Sequence, residues 1–527
     1  MARLSGRQAG LEAMVHRVNR LDMELATNLT SGRLLARNTV WNLAGQLLPM
    51  AVGLIALPPV VRALGVARFG VLSLAWVVIG YFSLFDLGVG RALTKLVADK
   101  LAAQDLQAIP PLVWTSLWLL LLLGMVGGLI TWTLAPWLVH QALKIPLGLQ
   151  EETVRGFYLL ALSIPVVTVT CGLRGVLEAQ QRFRILNLIR VPMSVFSIAG
   201  PLLVLPFYSS LVPVICVLLA GRIVGFAAHV YACFYAMPLL GRNFGLKRRL
   251  ILPIIKLGGW MTVSNVVSPL MSYLDRFLIG SLLSVTAVAY YTAPFDMVTR
   301  VTVIPGAVAG VLFPAFAWSL VQDPQRTGLL LRRGLTYTFA AVFPILLGIV
   351  ALAPEGLRLW LGGAFAQHAT VALRWLTAGV FVNCFALVPL ALIQSGGRPD
   401  ITAKLHLIEL PLYLAALWGL TRSLGIEGTA IAWAGRVTLD AVLLFLFARR
   451  ILPGSMNFLP KLAASVTAGL VLMYLATLPQ SLASKTLLLL AGLLLGGATA
   501  WLRGLDSDER AFLRQVRSRT FGLPERS

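Results

Sequence analysis

Apolar residues run in long blocks from residue 39 to residue 502, each closed by a short polar or basic break. A helix needs about 20 apolar residues to cross a bilayer. Fourteen blocks have about that length: 39–61, 70–92, 112–138, 156–178, 185–207, 211–237, 254–280, 284–316, 334–354, 369–394, 401–422, 426–448, 460–478 and 483–502. Blocks that recur from end to end are a membrane signal and not one large core, so the pattern predicts an all-α, polytopic chain. The ends differ. In residues 1–37, Leu11, Met14, Val15, Val18, Leu21 and Leu25 recur at helical spacing with Arg17, Arg20 and Asp22 between them. This is the pattern of an amphipathic helix lying on a membrane surface, unless translation starts at Met14 or Met23 and shortens it. In residues 503–527, Asp506 and Glu509 have the spacing of a capping box, and Arg514, Arg517 and Arg519 close the segment.

The blocks also repeat. Residues 41–71 align without a gap to residues 260–290, an offset of 219, with Trp41 on Trp260, Gln46 on Asn265, Leu64 on Leu283 and Val66 on Val285. Ala220-Gly221-Arg222 matches Ala434-Gly435-Arg436 at an offset of 214, and Gln180 matches Gln394 at the same offset. A repeat over blocks 1–6 and 7–12 predicts two pseudo-symmetric six-helix bundles of like orientation, with a site between them. The expected division is 38–239 for the first bundle, 240–253 for a basic linker, 254–450 for the second bundle and 451–502 for two further spans.

Composition and charge sharpen this picture. The 527 residues are 58% hydrophobic and 12% charged, where a soluble chain carries about 25% charged residues. The net charge of +23 suggests nucleic acid until the basic residues are placed. With the N-terminus inside, 30 of the 44 fall in cytoplasmic segments, eight in outer loops and six within spans. Charge of that kind reports topology, with both termini cytoplasmic, and no nucleic-acid partner. The four cysteines, Cys171, Cys216, Cys233 and Cys384, all lie in apolar blocks without metal-ligand spacing. There is no G-x-x-x-x-G-K-[ST], no H-E-x-x-H, no Cys/His cluster and no outer loop long enough to hold donor and acceptor sugars. Transport is therefore favoured over catalysis, with no metal and no cofactor.

The chemistry that remains lies inside the spans. A charge in hydrocarbon costs about 2.5–3.5 kcal/mol, so it persists facing a partner or a water-filled cavity. The block W-M-T-V-S-N-V-V-S-P-L-M-S-Y-L-D-R-F-L-I-G and its successor carry two acid/base pairs, Asp275 with Arg276 and Asp296 with Arg300. Arginine suits phosphate because its planar fork makes bidentate bonds, which makes Arg190, Arg222, Arg276, Arg300 and Arg436 candidate ligands for an anionic headgroup. Asp275, Asp296, Glu409 and Asp440 are candidate acids for coupling transport to an ion gradient. Each has a structural reading beside the functional one. Asp275 and Arg276 also fit an interfacial pair, Asp296 and Arg300 an i,i+4 pair that neutralises itself, and Arg222 and Arg436 a helix clamp. His229 and His406 fit packed, neutral roles.

The motifs W-N-L-A-G-Q-L-L-P, L-G-V-A-R-F-G and F-D-L-G-V-G-R-A-L, then Y-L-D-R-F-L-I-G at 273–280 and A-Y-Y-T-A-P, resemble the polysaccharide-biosynthesis flippases of the Wzx type. These belong to the multidrug/oligosaccharidyl-lipid/polysaccharide exporter superfamily, and the resemblance covers roughly residues 36–450. It implies a MATE-like pair of six-helix bundles around a V-shaped cavity. The implied cargo is an undecaprenyl-diphosphate-linked oligosaccharide, moved from the cytoplasmic to the periplasmic leaflet of a bacterial inner membrane. A polysaccharide polymerase and a chain-length regulator are the implied partners. Three rivals stay open: a cation-coupled multidrug exporter, a membrane-embedded polymerase or ligase, and a peptidoglycan-precursor flippase.

Overall fold

The computed structural model of the protein describes residues 32–82, 88–180, 182–241, 244–479 and 481–499. The amphipathic segment expected over 1–37, apart from its last residues, and the tail at 503–527 lie outside the described residues. Among those described, the chain is helical from end to end. In order come α1 (Gly32–Leu64), α2 (Val66–Phe82), α3 (Val89–Ala102), α4 (Ile109–Trp137), α5 (Leu147–Ala179), α6 (Phe183–Ala199), α7 (Leu211–Ala236) and α8 (Arg248–Leu282). There follow α9 (Val285–Thr299), α10 (Val303–Gln322), α11 (Pro324–Ala351), α12 (Ala353–Leu361), α13 (Gly363–Ser395), α14 (Pro399–Ile451), α15 (Leu459–Leu475) and α16 (Leu482–Thr499). Every predicted apolar block overlaps a helix. Among the described residues, eight helical segments are long and apolar enough to cross a bilayer, and shorter apolar helices accompany them.

Local chemistry explains the helix starts. Pro110 and Pro111 fall in the first turn of α4, where the missing N–H has no intrahelical partner to lose. Ser284 caps α9 by accepting from the Ala287 amide at 3.1 Å, and Asp323 caps α11 by accepting from the Arg326 amide at 3.0 Å. The outer surface is apolar: Leu122, Leu129 and Trp132 on α4, Leu188 on α6, Tyr231 on α7 and Leu490 on α16 are all exposed. Such a surface would drive aggregation in water, whereas helices in lipid satisfy their backbone internally and turn apolar side chains outward. The chain is a multi-pass membrane protein.

One block differs from its predicted form, and two others are joined. The block at 70–92 is not one helix: α3 starts after Gly88, whose φ of 68° is left-handed and breaks the helical path. The blocks at 401–422 and 426–448 form α14, 53 residues that would span about 80 Å if straight. They fold back at Gly425, whose φ of 65° and ψ of −141° suit a residue without a Cβ. Thr421 Oγ1 and Thr429 Oγ1 then meet at 2.8 Å, and α14 is a helical hairpin with arms 399–424 and 426–451.

One pair of helix starts keeps the spacing of the sequence repeat. α2 starts at Val66 and α9 at Val285, the same offset of 219. These two aligned helices pack against each other, burying Phe69, Leu72 and Ala75 with Val285, Val288 and Ala289 in one core. A Cβ on Gly70 would lie 1.8 Å from the Val285 carbonyl oxygen, so the backbones approach as closely as glycine permits. Further bonds join the two parts of the chain at this end of the helices. Lys144 donates its amide to Gly280 O at 2.9 Å and its Nζ to Leu282 O at 2.5 Å. α8 bridges the parts: Ile254 packs among Val89, Leu93 and Ile109, while Met271 and Ile279 belong to the core shared with α9.

Candidate functional site

The site grows from a defect in α1. Pro58 has no N–H, so the carbonyl of Leu54, four residues earlier, loses its helical donor. The Trp360 indole on α12 supplies one instead, donating to Leu54 O at 2.7 Å across the two parts of the chain. Beneath that bond lies a cavity of about 360 Å³. α1 contributes Gly53 and Leu57, α2 contributes Phe69 and Trp76, and α6 contributes Ser194, Ser197 and Ile198. α9 contributes Asp296 and Met297, with Arg300 just beyond its end. The volume falls in the range of pockets that hold a headgroup-sized ligand.

Sequence spacing suggested Asp275 with Arg276 and Asp296 with Arg300. The structure rewires both. The Arg276 guanidinium reaches across from α8 to α9 and pairs with Asp296 at 2.5 Å. It lies over the Phe295 ring at 5.3 Å and the Tyr273 ring at 5.7 Å, a cation sandwiched by aromatic faces. Asp275, fully buried, accepts from the Tyr291 hydroxyl at 2.8 Å and from the Arg276 amide at 2.7 Å. Arg300 is left with one backbone bond, Nε to Asp296 O at 3.1 Å. Among the described residues no carboxylate lies within ion-pair distance of it, and its guanidinium faces the cavity beside Gly53.

The hairpin α14 assembles a second cluster that spacing did not reveal. His406 and Glu409 on one arm meet Asp440 on the other, with one ligand atom from each all within 4.8 Å of one another. Arg436 lies over the Tyr413 ring at 5.5 Å beside them. Tyr413 itself is buried. The other predicted arginines stand apart. Arg190 is exposed on α6, and Arg222 is half-buried on α7 near Cys171. His229 keeps a packed role, with its Nδ1 2.7 Å from Gly225 O. Sequence reasoning missed Trp360, Tyr291, Tyr413 and the cavity serines. Pro58 was the one usable signal, because a freed carbonyl in a span needs a donor from elsewhere.

A cavity between packed apolar helices, with Arg300 in its lining, is an arrangement that suits a membrane transporter. Residues 35–319 match the model of the family described as "Polysaccharide biosynthesis protein". A Shigella flexneri protein named "Putative O-antigen transporter" is 31% identical over 414 residues, covering 77% of this chain and 96% of the relative. The chain belongs to the polysaccharide biosynthesis protein family, as the Wzx-type motifs implied, and is a membrane flippase of that family. Its fold is shared with lipid II flippase MurJ in an inward closed conformation, at a TM-score of 0.68, 13% identity and coverage of 88% of this chain and 98% of that one. It is likewise shared with an inward-facing multidrug resistance MATE family transporter of the MOP superfamily, at 0.65, 18% identity and coverage of 77% and 94%.

Proposed function

We propose that the protein carries an undecaprenyl-diphosphate-linked oligosaccharide from the cytoplasmic to the periplasmic leaflet of an inner membrane, by alternating access between bundles 38–239 and 254–450. Both termini are cytoplasmic in this reading. The face carrying Trp360 and Lys144 is then periplasmic, and here it is the joined face. The observation that carries the proposal is Arg300, a cation in the cavity with no carboxylate partner among the described residues. A guanidinium in a low-dielectric cavity holds a diphosphate through charge-assisted, bidentate bonds. Arg190, outside the cavity lining, lies four residues or about one turn before Ser194 on α6 and in this reading is a second phosphate contact on the way in. The glycan stays in the wet part of the cleft and the polyprenyl tail in lipid. A polymerase and a chain-length regulator would act on the delivered product.

A drug exporter of the same fold would need free acid in the cavity to attract cationic drugs. Here Asp296, the acid lining the cavity, is held by Arg276. The test is leaflet-resolved detection of the lipid-linked glycan in a strain depleted of the protein. Glycan trapped on the cytoplasmic leaflet, rescued by wild type but not by Arg300→Ala, is the expected result. Normal outer-leaflet glycan on depletion would sink the flippase assignment. Full rescue by Arg300→Ala would move the phosphate site elsewhere.

A further inference from the structure

We propose that Lys485, on α16, is a positioning residue for the closed face: it holds α12 at the angle that lets Trp360 reach Leu54 and cover the cavity. The backbone alone leaves α12 loosely placed. Its nine residues lie between two breaks in the helical path, Leu352 before it and Gly362 after it, where a φ of 97° is left-handed. Ala353, Leu357 and Leu361, spaced four apart, form one buried stripe that rests on the core. An apolar stripe attracts without direction, so a short helix resting on one is free to roll. Two side-chain bonds restrain that roll. Trp360 Nε1 donates to Leu54 O at 2.7 Å, and Glu355 Oε1 accepts from Lys485 Nζ at 2.7 Å.

The two bonds are linked through the helix that carries both. Glu355 and Trp360 are five residues apart, about 7.5 Å along the axis and about 140° around it. Rolling α12 far enough to break one bond therefore moves the other. The indole bond weakens steeply when it is turned, because a hydrogen bond is directional.

Lys485 is the fixed partner of its pair. Its side chain is 4% exposed, against 43% for Glu355. An almost buried ammonium must keep a partner, whereas a half-exposed carboxylate returns to water at little cost. Lys485 also stands in the opening turn of α16, the positive end of the helix dipole, where a cation is disfavoured and a facing carboxylate is favoured. α16 is in turn anchored to the second bundle. A Cβ on Gly492 would lie 2.6 Å from Leu347 Cδ2 of α11, and Leu488 and Leu489 pack against the main core. The helix that lies outside the twelve-block repeat is thus a strut from the body of the bundle to the element that covers the cavity. Calling this face the outer one rests on the flippase reading, whereas the hold of Lys485 on Trp360 does not.

The experiment uses the full chain carrying Ser197→Cys, a cavity position, in right-side-out and inverted membrane vesicles. Labelling by a membrane-impermeant maleimide is measured above that of the chain without the added cysteine. Lys485→Met is expected to speed labelling through the closed face by about two- to fivefold, and Glu355→Gln by a similar factor. Neither is expected to add to the rate in a Trp360→Phe background, because each acts through the indole bond. A merely structural pair would speed labelling equally with and without the indole, and that result overturns the proposal. Unchanged labelling in Glu355→Gln overturns it too, from the exposed side of the pair and without needing Lys485→Met to fold. Labelling needs no glycolipid, so either failure leaves the leaflet assay to decide the flippase reading. Acceleration in inverted vesicles in place of right-side-out ones would refute the outer placement of this face, and with it that reading, while supporting the positioning role.

Discussion

At the scale of single residues, two arginines of the same sequence neighbourhood separate into different jobs. Arg276 is buried and joins α8 to α9 through Asp296, with two rings on its faces. Arg276→Ala leaves Asp275 and Asp296 without their cation. Breaking a buried pair from one side costs about 3–5 kcal/mol, and the 41% exposure of Asp296 places this case at or below the low end of that range. A clear drop in unfolding temperature is expected, with transport lost along with the fold. Arg300→Ala removes a cavity cation that pairs with no described carboxylate, so the unfolding temperature is expected to hold while glycan transfer fails. Equal thermal losses in the two variants would refute this division. The sequence named all four charges, because ionised groups in apolar spans stand out. It could not assign their partners: Arg276 chooses between an aspartate one residue away and one twenty residues away. Side-chain direction on packed helices decides that choice, and spacing along one helix does not.

At the scale of elements, short segments tie the long helices together. α12 is a nine-residue helix on the face that carries Trp360, and its Glu355 accepts from Lys485 Nζ of α16 at 2.7 Å. Burial acts most strongly on the Glu355 carboxyl and pushes it up, but the hydrogen bond and charge of Lys485 outweigh it. The carboxyl is held below its ordinary value of 4.5. A carboxyl lowered in the folded state stabilises the fold above the unfolded-state value and ceases to do so as pH falls through the lower folded-state value. At pH 7 the wild type is therefore expected to unfold at a higher temperature than Glu355→Gln, with the gap closing below about pH 4. A gap that persists unchanged on acidification would remove this role. The helices themselves were readable as apolar blocks. The hairpin was readable as two of them, yet nothing in their hydropathy showed that His406, Glu409 and Asp440 would meet. That meeting depends on the sense of the turn at Gly425, which brings side chains 31 to 34 positions apart onto facing arms.

At the scale of the whole molecule, the proposed alternating access requires the two parts of the chain to open and close. The joined face rests on the α2–α9 contact, on the bonds of Lys144 to Gly280 and Leu282, and on the Trp360–Leu54 bond. Removing one such hydrogen bond is worth about 1 kcal/mol, and leaving the Leu54 carbonyl without a donor raises that figure. One kcal/mol changes a two-state ratio by about fivefold. Trp360→Phe is expected to raise the labelling rate of Ser197→Cys by a membrane-impermeant reagent added from outside by about that factor. An unchanged rate would mean that the indole bond does not hold the face shut.

The sequence by itself determined the class of the protein and the plan of its helices. Hydrophobic length, basic loops and a repeat at an offset of 219 are properties of the chain read in one dimension, and the solvent they select is the bilayer. Its family motifs pointed to the right family for the same reason, since they occur in a set order along the chain. Tertiary structure alone decided which charges pair, which arginine faces the cavity without a described carboxylate, where the cavity closes and which three titratable side chains meet in a hairpin. Those outcomes depend on the rotation of each helix about its axis and on the contacts between helices remote in sequence. A few degrees of rotation move a guanidinium from one carboxylate to another without altering a single hydrophobic block.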